Sequence, residues 1–403
     1  MLVNRVEQQV ITKNNPIWKV VDEYCFRSKN VYNYANYIIR QEFINNRKWI
    51  RNHDLDKMCQ SADCYKELGS QAAQNIIKVL DQNWKAFFVT IKDWKKNPSK
   101  YLGRPKLPKY KNKEKGRQVL IFKNIQCSLK DGLFRIGFKP FGGYSVRTKA
   151  KGKLMQCRFV PKGNNYVMEI VYQIEVPEVQ TESINICSID LGIDNFATIT
   201  NNIGIKPIAI KGNVIKSMNQ YYNKQKASLQ SELMLVNKKH NSKRLNKLTT
   251  KRNNKVKSWM HKISKSVIDY CILYNIDTLV CGYNVGWKQE SDMGKKVNQK
   301  FVTIPFDMFV GQLKYKCENV GIRFITTEES YTSGTSFLDN ESPVKANYDK
   351  SRRIHRGMFQ SNNGTLINSD VNGSYQIMKK VFPNAFANGI EGVGCNPMAI
   401  KIA

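Results

Sequence analysis

A run of apolar residues that closes on a carboxylate constrains this chain more than any other feature. Residues 183–200 read SINICSIDLGIDNFATIT, which is a strand ending on Asp190, a turn through Gly192, and a second strand leading away. A carboxylate at the end of a buried strand is costly, because an unpaired charge out of water is strongly disfavoured. It is tolerated where a metal or another cation binds it. The later chain offers companions: Glu328 and Glu329 after the strand GIRFITT, and Asp370 in INSDVNGSYQIMKK. Singly, each has a structural account. Asp190 and Asp194 can cap a turn, Asp370 can be a helix N-cap, and the two glutamates can be a solvated strand end. Asp194 is taken as structural. Read together, Asp190, Asp370 and one of the glutamates (Glu329, with Glu328 as the alternative) form a set suited to divalent metal. Phosphodiester cleavage adds negative charge to an anion, and paired metals relieve it. Hard ions such as Mg²⁺ or Mn²⁺ prefer carboxylate oxygens to sulfur or imidazole. On the Asp370 helix, Gly373 and Ser374 are small and are expected to leave room for metal and phosphate.

Charge names the class of partner. Lys and Arg number 65 against 32 Asp and Glu, a formal net charge of +33, and such an excess points to a polyanion, most often nucleic acid. Membrane insertion is not expected, since no apolar run approaches the ~20 residues a span needs. The first residues, MLVNRVEQQVITKNN, lack the apolar core of a leader, so a cytoplasmic, nucleoid-associated protein is expected. The 10 cysteines are scattered, and no CxxC pair occurs. A tetrahedral zinc site needs clustered ligands, so zinc is not expected and reduced core thiols are.

Along the chain the patterning changes three times. Residues 1–15 begin with one weakly alternating strand. Residues 16–100 carry helical periodicity, with Val21, Tyr24, Cys25, Val31, Tyr32, Ala35, Ile38 and Ile39 on one helix and Ala73, Ile76, Ile77, Leu80, Trp84 and Phe87 on another. Residues 95–117, KKNPSKYLGRPKLPKYKNKEKGR, hold ten Lys/Arg and one acid, with prolines that forbid a helix. This strap suits a sugar-phosphate backbone through Lys106, Lys109, Tyr110, Lys111 and Arg117; the alternative is a flexible charged linker. The rest of residues 101–182 alternates in short strands punctuated by Gly-Gly, Lys-Gly and Gly-Asn, a small antiparallel barrel or sandwich. If the first strand joins it, the helical bundle is an insertion. Residues 183–403 are α/β, compatible with an RNase H-like sheet. Their helices include a basic stretch with Lys243, Arg244, Lys251 and Arg252, then an amphipathic stripe from Val256 to Tyr274. His261 lies on the same helix and is expected to be a packed or phosphate-facing residue, with a catalytic base as the alternative.

Four motifs in this order, SIDLGIDNFATIT, SWMHKISKSVIDYC, TEESYTSGTSF and INSDVNGSYQI, resemble the RuvC-type nuclease of the TnpB (OrfB) family, transposon-encoded RNA-guided DNA endonucleases similar to the ancestors of type V CRISPR effectors. The strap GRPKLPKYKNK resembles that family's too. The resemblance implies a wedge β-barrel interrupted by a helical recognition bundle and followed by a RuvC domain. It also implies a guide RNA from the transposon end, a double-stranded DNA target read beside a short motif, and Mg²⁺ (or Mn²⁺) as cofactor. Monomer and dimer both remain open. Two departures stand out. The family's second acid ends the strand seen here as DTLVCGYN, and that position is Gly282. Glu329 or Glu328 is expected to replace it, and because successive strand residues face opposite ways, only one should point inward. In place of the family's zinc ribbon, residues 334–366 form a loop-rich insertion without cysteine. Its Lys350, Arg352, Arg353, His355 and Arg356 are candidates for DNA contact.

Overall fold

A computed structural model describes every residue except 180, 285, 287–293, 356, 388, 390–392 and 403; Arg356 thus lies outside the described residues. The chain divides into two compact units, residues 1–175 and 176–403. Among the described residues no helix is long and apolar enough to cross a membrane.

In the first unit, strand β1 (Leu2–Ile11) precedes helices α1 (Trp18–Asn46), α2 (Asn52–Cys59), α3 (Asp63–Leu68) and α4 (Ser70–Lys96). Strands β2 (Leu120–Lys123), β3 (Cys127–Lys130), β4 (Leu133–Ile136), β5 (Ser145–Arg147), β6 (Lys153–Lys162) and β7 (Asn165–Glu175) follow. β1 pairs antiparallel with β7 along its whole length, from Leu2↔Glu175 to Ile11↔Tyr166. The helices therefore sit between the first and second strands of one sheet, ordered β1-β7-β6-β2. The expected barrel is not formed. β3, β4 and β5 make a separate three-stranded sheet, and among the described residues no pairing closes either one. A closed barrel needs every strand paired on both sides, whereas β1 and β2 are the edges of the four-stranded sheet. The helices join the core through their apolar stripes, with Val21, Cys25, Ala35 and Ile39 of α1 against Ile76, Leu80 and Trp84 of α4. The buried Trp84 indole donates to Asn36 Oδ1 at 3.1 Å, which satisfies two polar groups that would otherwise be costly to bury.

The second unit is a mixed α/β layer. Strands β8 (Ile186–Leu191), β9 (Asn195–Asn201) and β10 (Ile208–Lys211) lead into α5 (Asn213–Asn237) and α6 (Lys243–Leu273). Then come β11 (Thr278–Gly282), α7 (Lys295–Val302), α8 (Phe306–Val320) and β12 (Arg323–Thr327). A hairpin of β13 (Met358–Gln360) and β14 (Leu366–Asn368) precedes α9 (Ser369–Val381), and β15 (Met398–Ile400) ends the sheet. The six strands run in the order β12-β11-β8-β9-β10-β15, and β12, β11 and β8 are mutually parallel.

Period-two alternation sorts this sheet's side chains. Cys187, Ile189, Leu279 and Cys281 join a core with Trp259, Met260 and Ile263 of α6 and Phe306, Phe309, Leu313 and Cys317 of α8. Each fully buried side chain of that size contributes roughly 1.5–3 kcal/mol. Ile186 and Val280 face the other way, onto Ile377 and Met378 of α9. α9 is pinned by hydroxyls: Ser188 Oγ donates to the Ser374 carbonyl at 2.7 Å, and Ser374 Oγ lies 2.9 Å from Thr200 Oγ1. Ser374 is therefore a fastening to the sheet rather than open space.

Candidate active site

The alternation that sends Ile186 and Ser188 toward α9 sends Asp190 the same way. Asp190 lies near the carboxyl end of β8, Gly282 ends β11, and Glu329 lies two residues past the end of β12. Three parallel neighbours thus finish side by side, and crevices at such carboxyl ends are where open α/β sheets place ligands. Against these strand ends stands the first turn of α9. Its N-cap is Asn368, whose side chain accepts from the Asp370 and Val371 amides. Asp370 is spared capping, and its Oδ2 accepts from Asn195 Nδ2 at 2.7 Å. Asn195 in turn accepts from Lys211 Nζ at 2.7 Å.

The two glutamates separate cleanly. Glu328 turns outward, pairs with Lys380 and accepts from the Ser330 amide. The Lys380 ammonium and the Ser330 hydrogen bonds hold its carboxyl down at about 2. Glu329 turns inward, its amide held by Asn284 Oδ1 at 2.9 Å. Its Oε1 is buried with no hydrogen-bond partner. Burial, with the charge of Glu328 added, pushes its carboxyl up to about 7. A Cβ on Gly282 would lie 2.5 Å from Glu329 Oε1 and 2.5 Å from Ile377 Cδ1. The glycine is what admits the carboxylate, so Glu329 fills the volume that a side chain on β11 would take.

Asp190 is held well above the ordinary carboxyl range by burial, then by the charges of Glu329 and Asp370; Arg353 acts in the opposite sense. A Cβ on Gly373 would come to 3.2 Å from Asp190 Oδ2, so this glycine opens the face of α9 toward the acid. The three acids and Arg353 thus share one electrostatic neighbourhood. Among the described residues, however, no three His, Cys, Asp or Glu side chains form a group that could hold a metal ion as they stand. The chemistry present suits a hard divalent cation. The donors are carboxylate oxygens, one is buried without a partner, and their mutual repulsion is of the kind a cation removes.

The predicted nucleic-acid residues divide by what their side chains already hold. Lys106, Lys109, Tyr110, Lys111, Lys243, Arg244, Lys251 and Arg353 are exposed. Arg117, Arg252 and Arg352 are instead structural. Arg117 makes a two-pronged contact with Asp22, at 3.0 and 2.8 Å. Arg252 holds Asn219 Oδ1 and the Thr303 carbonyl, both at 2.6 Å. Arg352 bridges Asp339 and Glu341. In each case burying a guanidinium demanded partners, and carboxylates or carbonyls supplied them. The strap is not a loose linker either. Lys29, Asn33, Asn36 and Arg40, on one face of α1, donate to the carbonyls of Lys113, Lys111 and Pro108. Asp194 is ion-paired with Lys216. His261 is half-buried, and burial with the nearby Lys316 and Lys257 lowers its pKa.

Asn195, Lys211 and Asn284 were not anticipated. A neutral amide gives no signal of its own in a sequence, although the Asp-Asn pair opening β9 marked the position.

Comparison with known proteins agrees with the motifs. Residues 169–288 match the OrfB_IS605 family, described as a probable transposase. Residues 306–377 match the Cas12f1-like TNB domain. Through these two segments the chain is similar to TnpB (OrfB)-like proteins. No curated relative matches it. Similar solved structures include a Cas12f1–guide RNA–target DNA complex, 14% identical over 93% of this chain and 98% of that one, with a TM-score of 0.37. CRISPR-Cas_phi3 is 10% identical over 98% and 94%, at 0.47. CasPhi-2 (Cas12j) bound to crRNA is 10% identical over 98% and 99%, at 0.45.

Proposed function

We propose that this protein is an RNA-guided, divalent-metal-dependent DNA endonuclease encoded by a transposon, cutting double-stranded DNA beside a short motif that the protein reads. The observation carrying this reading is Glu329, a buried carboxylate with an unpartnered oxygen, seated over Gly282 and close enough to Asp190 to raise its pKa. Nothing in the packing of the sheet requires an acid there, and its burial costs stability. Asp190, Glu329 and Asp370 would hold Mg²⁺ or Mn²⁺, which when bound supplies activated water and neutralises charge on the phosphate. Asn195 orients the Asp370 carboxylate, and Lys211 fixes the amide that does so. Asn284 fixes the backbone at Glu329. The exposed lysines of the strap and of α6 supply attraction for guide RNA and DNA, while base pairing supplies sequence.

Protein reconstituted with its guide RNA should cut a matched plasmid in Mg²⁺. Asp190→Ala and Glu329→Gln should each reduce cutting by at least about a thousandfold, the scale on which removing a group essential to the transition state acts. Glu328→Gln should leave it within about threefold. Full cutting by Asp190→Ala would remove the reading.

A second reading, guided binding without cutting, is favoured by one observation: Gly282 stands at the end of β11, where the family's second acid is expected. Metal-dependent nicking by the wild type that is lost in Asp370→Ala excludes it. A DNA-strand transferase, in keeping with the probable-transposase description of the matched family, would yield joined rather than hydrolysed ends.

A further inference from the structure

The docked strap leaves two adjoining cavities along α1 and α4 of the first unit, about 670 and 440 Å³. Both are within the ~300–1,000 Å³ range of clefts that take organic ligands. The floor of the larger is apolar and largely aromatic: Phe43, Phe87, Phe88 and Ile91. These phenylalanines pack around Trp84, Phe43 and Phe87 edge-on and Phe88 tilted, but are only partly buried. Its rim is cationic, with Arg40, Arg47, Lys95, Arg104, Lys106 and Lys109, and no acid lines it. Among the described residues none of those six makes an ion pair with a carboxylate. The smaller cavity shares Phe87, Pro105, Lys106 and Lys109 with the larger and adds the exposed Tyr110.

We infer that this pair of cavities seats two consecutive unstacked nucleotides of a single strand, with bases on the Phe87 floor and phosphates on Lys106 and Lys109. Charge and shape together select this ligand. A peptide or lipid partner fits the apolar floor but does not account for six cations and no anion around it. A duplex satisfies the cations but keeps its bases stacked inside, leaving the aromatic floor bare. An aromatic floor within a cationic rim is the arrangement that single strands use, because every base has a face to stack and every link carries a charge. Apart from its cations, the larger cavity is lined by no side chain able to hydrogen-bond. The larger cavity should therefore be tolerant of sequence and indifferent to the sugar, while Asn83, Thr90 and Tyr110 in the smaller can hydrogen-bond.

This inference builds on the nucleic-acid reading of the chain but not on cleavage. It is tested in EDTA, where cutting plays no part. The probes are fluorescein-labelled 20-mers of deoxythymidine and of uridine, with a 20-base-pair DNA duplex as contrast. Anisotropy is followed over a salt series with the full-length protein. Phe87→Leu, which keeps the volume and loses the ring, should weaken both single strands about 5- to 100-fold, the factor that stacking one base contributes. It should leave the salt slope unchanged and duplex binding within about twofold. The Lys106→Gln, Lys109→Gln double variant should lower the single-strand salt slope by about 1.4, roughly 0.7 per lost phosphate contact. Thermal melting confirms that each variant is folded, and Phe88→Leu replaces Phe87→Leu if the latter is not. A folded ring variant that binds single strands as the wild type does, or that weakens single strand and duplex alike, overturns the inference. Failure of the Asp190→Ala cleavage test would leave these binding results unaffected.

Discussion

Two clusters of acids lie in the second unit, and they are built oppositely. In the segment that stands where a zinc ribbon was expected to be missing, Asp339 and Glu341 grip the Arg352 guanidinium from two sides. The same guanidinium donates to the Gln360 carbonyl at 3.1 Å and lies over the Phe359 ring. Asp339 also accepts from the Asn362 amide, and Glu341 from the Ser336 amide. Burial opposes the charge on Asp339, yet the Ser336, Asn362 and Arg352 hydrogen bonds outweigh it and keep its carboxyl below the ordinary range. At the strand ends Asp190 and Glu329 are pushed up instead, by burial and by other carboxylates. The two acids of the first cluster share a guanidinium inside the chain; in the second, burial and mutual repulsion outweigh the one cation acting on Asp190, Arg353. On the proposed reading the difference is between acids that hold a fold and acids kept for a ligand, the second kind costing stability until that ligand arrives.

The contrast breaks most visibly at Arg352. Arg352→Leu leaves Asp339 and Glu341 facing each other without their cation, and removing one partner of a largely buried ion pair costs about 3–5 kcal/mol. The melting temperature should fall by roughly 10 °C, taking about 2–4 °C per kcal/mol for a unit of this size. Limited proteolysis should open the segment around residues 339–362 first. A change under 2 °C would mean that the segment does not depend on its ionic clamp.

Removing an acid from the strand-end cluster should do the reverse. The carboxyl of Glu329 is raised in the folded state, so its contribution is fully present below the unfolded value near 4.5 and is lost as pH rises through about 7. Between pH 5 and 8 the metal-free wild type should lose on the order of 2–3 kcal/mol relative to Glu329→Gln, which cannot ionise. Parallel urea titrations at both pH values measure the difference. Mn²⁺ should restore the wild type at pH 8 and leave the variant unchanged. Equal pH dependence in the two proteins would show that Glu329 is not strained by burial.

Local pattern made much of this legible, and long-range pairing hid the rest. The α6 stripe and the α8 face carry their period in consecutive residues, and Val256, Met260, Ile263, Val267, Phe306, Phe309, Leu313 and Cys317 are all buried. The hairpin at Asp190 was equally local. The choice between Glu328 and Glu329 was narrowed by strand parity to one inward residue, but which one depended on where β12 ends and on Lys380, 52 residues away. The clamp on Arg352 joins residues 11 and 13 apart with no repeating spacing, so the segment read only as loop. The strap read as basic and extended. That α1 holds its carbonyls, across 68 to 84 residues, left no mark in composition. The barrel was implied by alternating short strands and by the family resemblance, and neither says whether sheet edges meet.

Gly282 gives the smallest and sharpest test of the contrast, because it asks whether the space beside β11 is reserved for the Glu329 carboxylate or is loose packing. An alanine there must displace either Glu329 Oε1 or Ile377 Cδ1, each 2.5 Å from the new methyl. Overpacking of this kind costs about 1–3 kcal/mol. If Glu329 yields, the carboxylate moves toward water, its burial penalty is relieved, and the net loss should be near 1 kcal/mol with a flatter pH dependence than the wild type. Cutting should fall at least about tenfold, since the acid no longer stands beside Asp190. If Ile377 yields, the loss should approach 3 kcal/mol with the pH dependence intact. Chemical denaturation of Gly282→Ala at pH 5 and pH 8 distinguishes the two. An alanine variant as stable and as active as the wild type would mean that Glu329 does not occupy the place β11 left open.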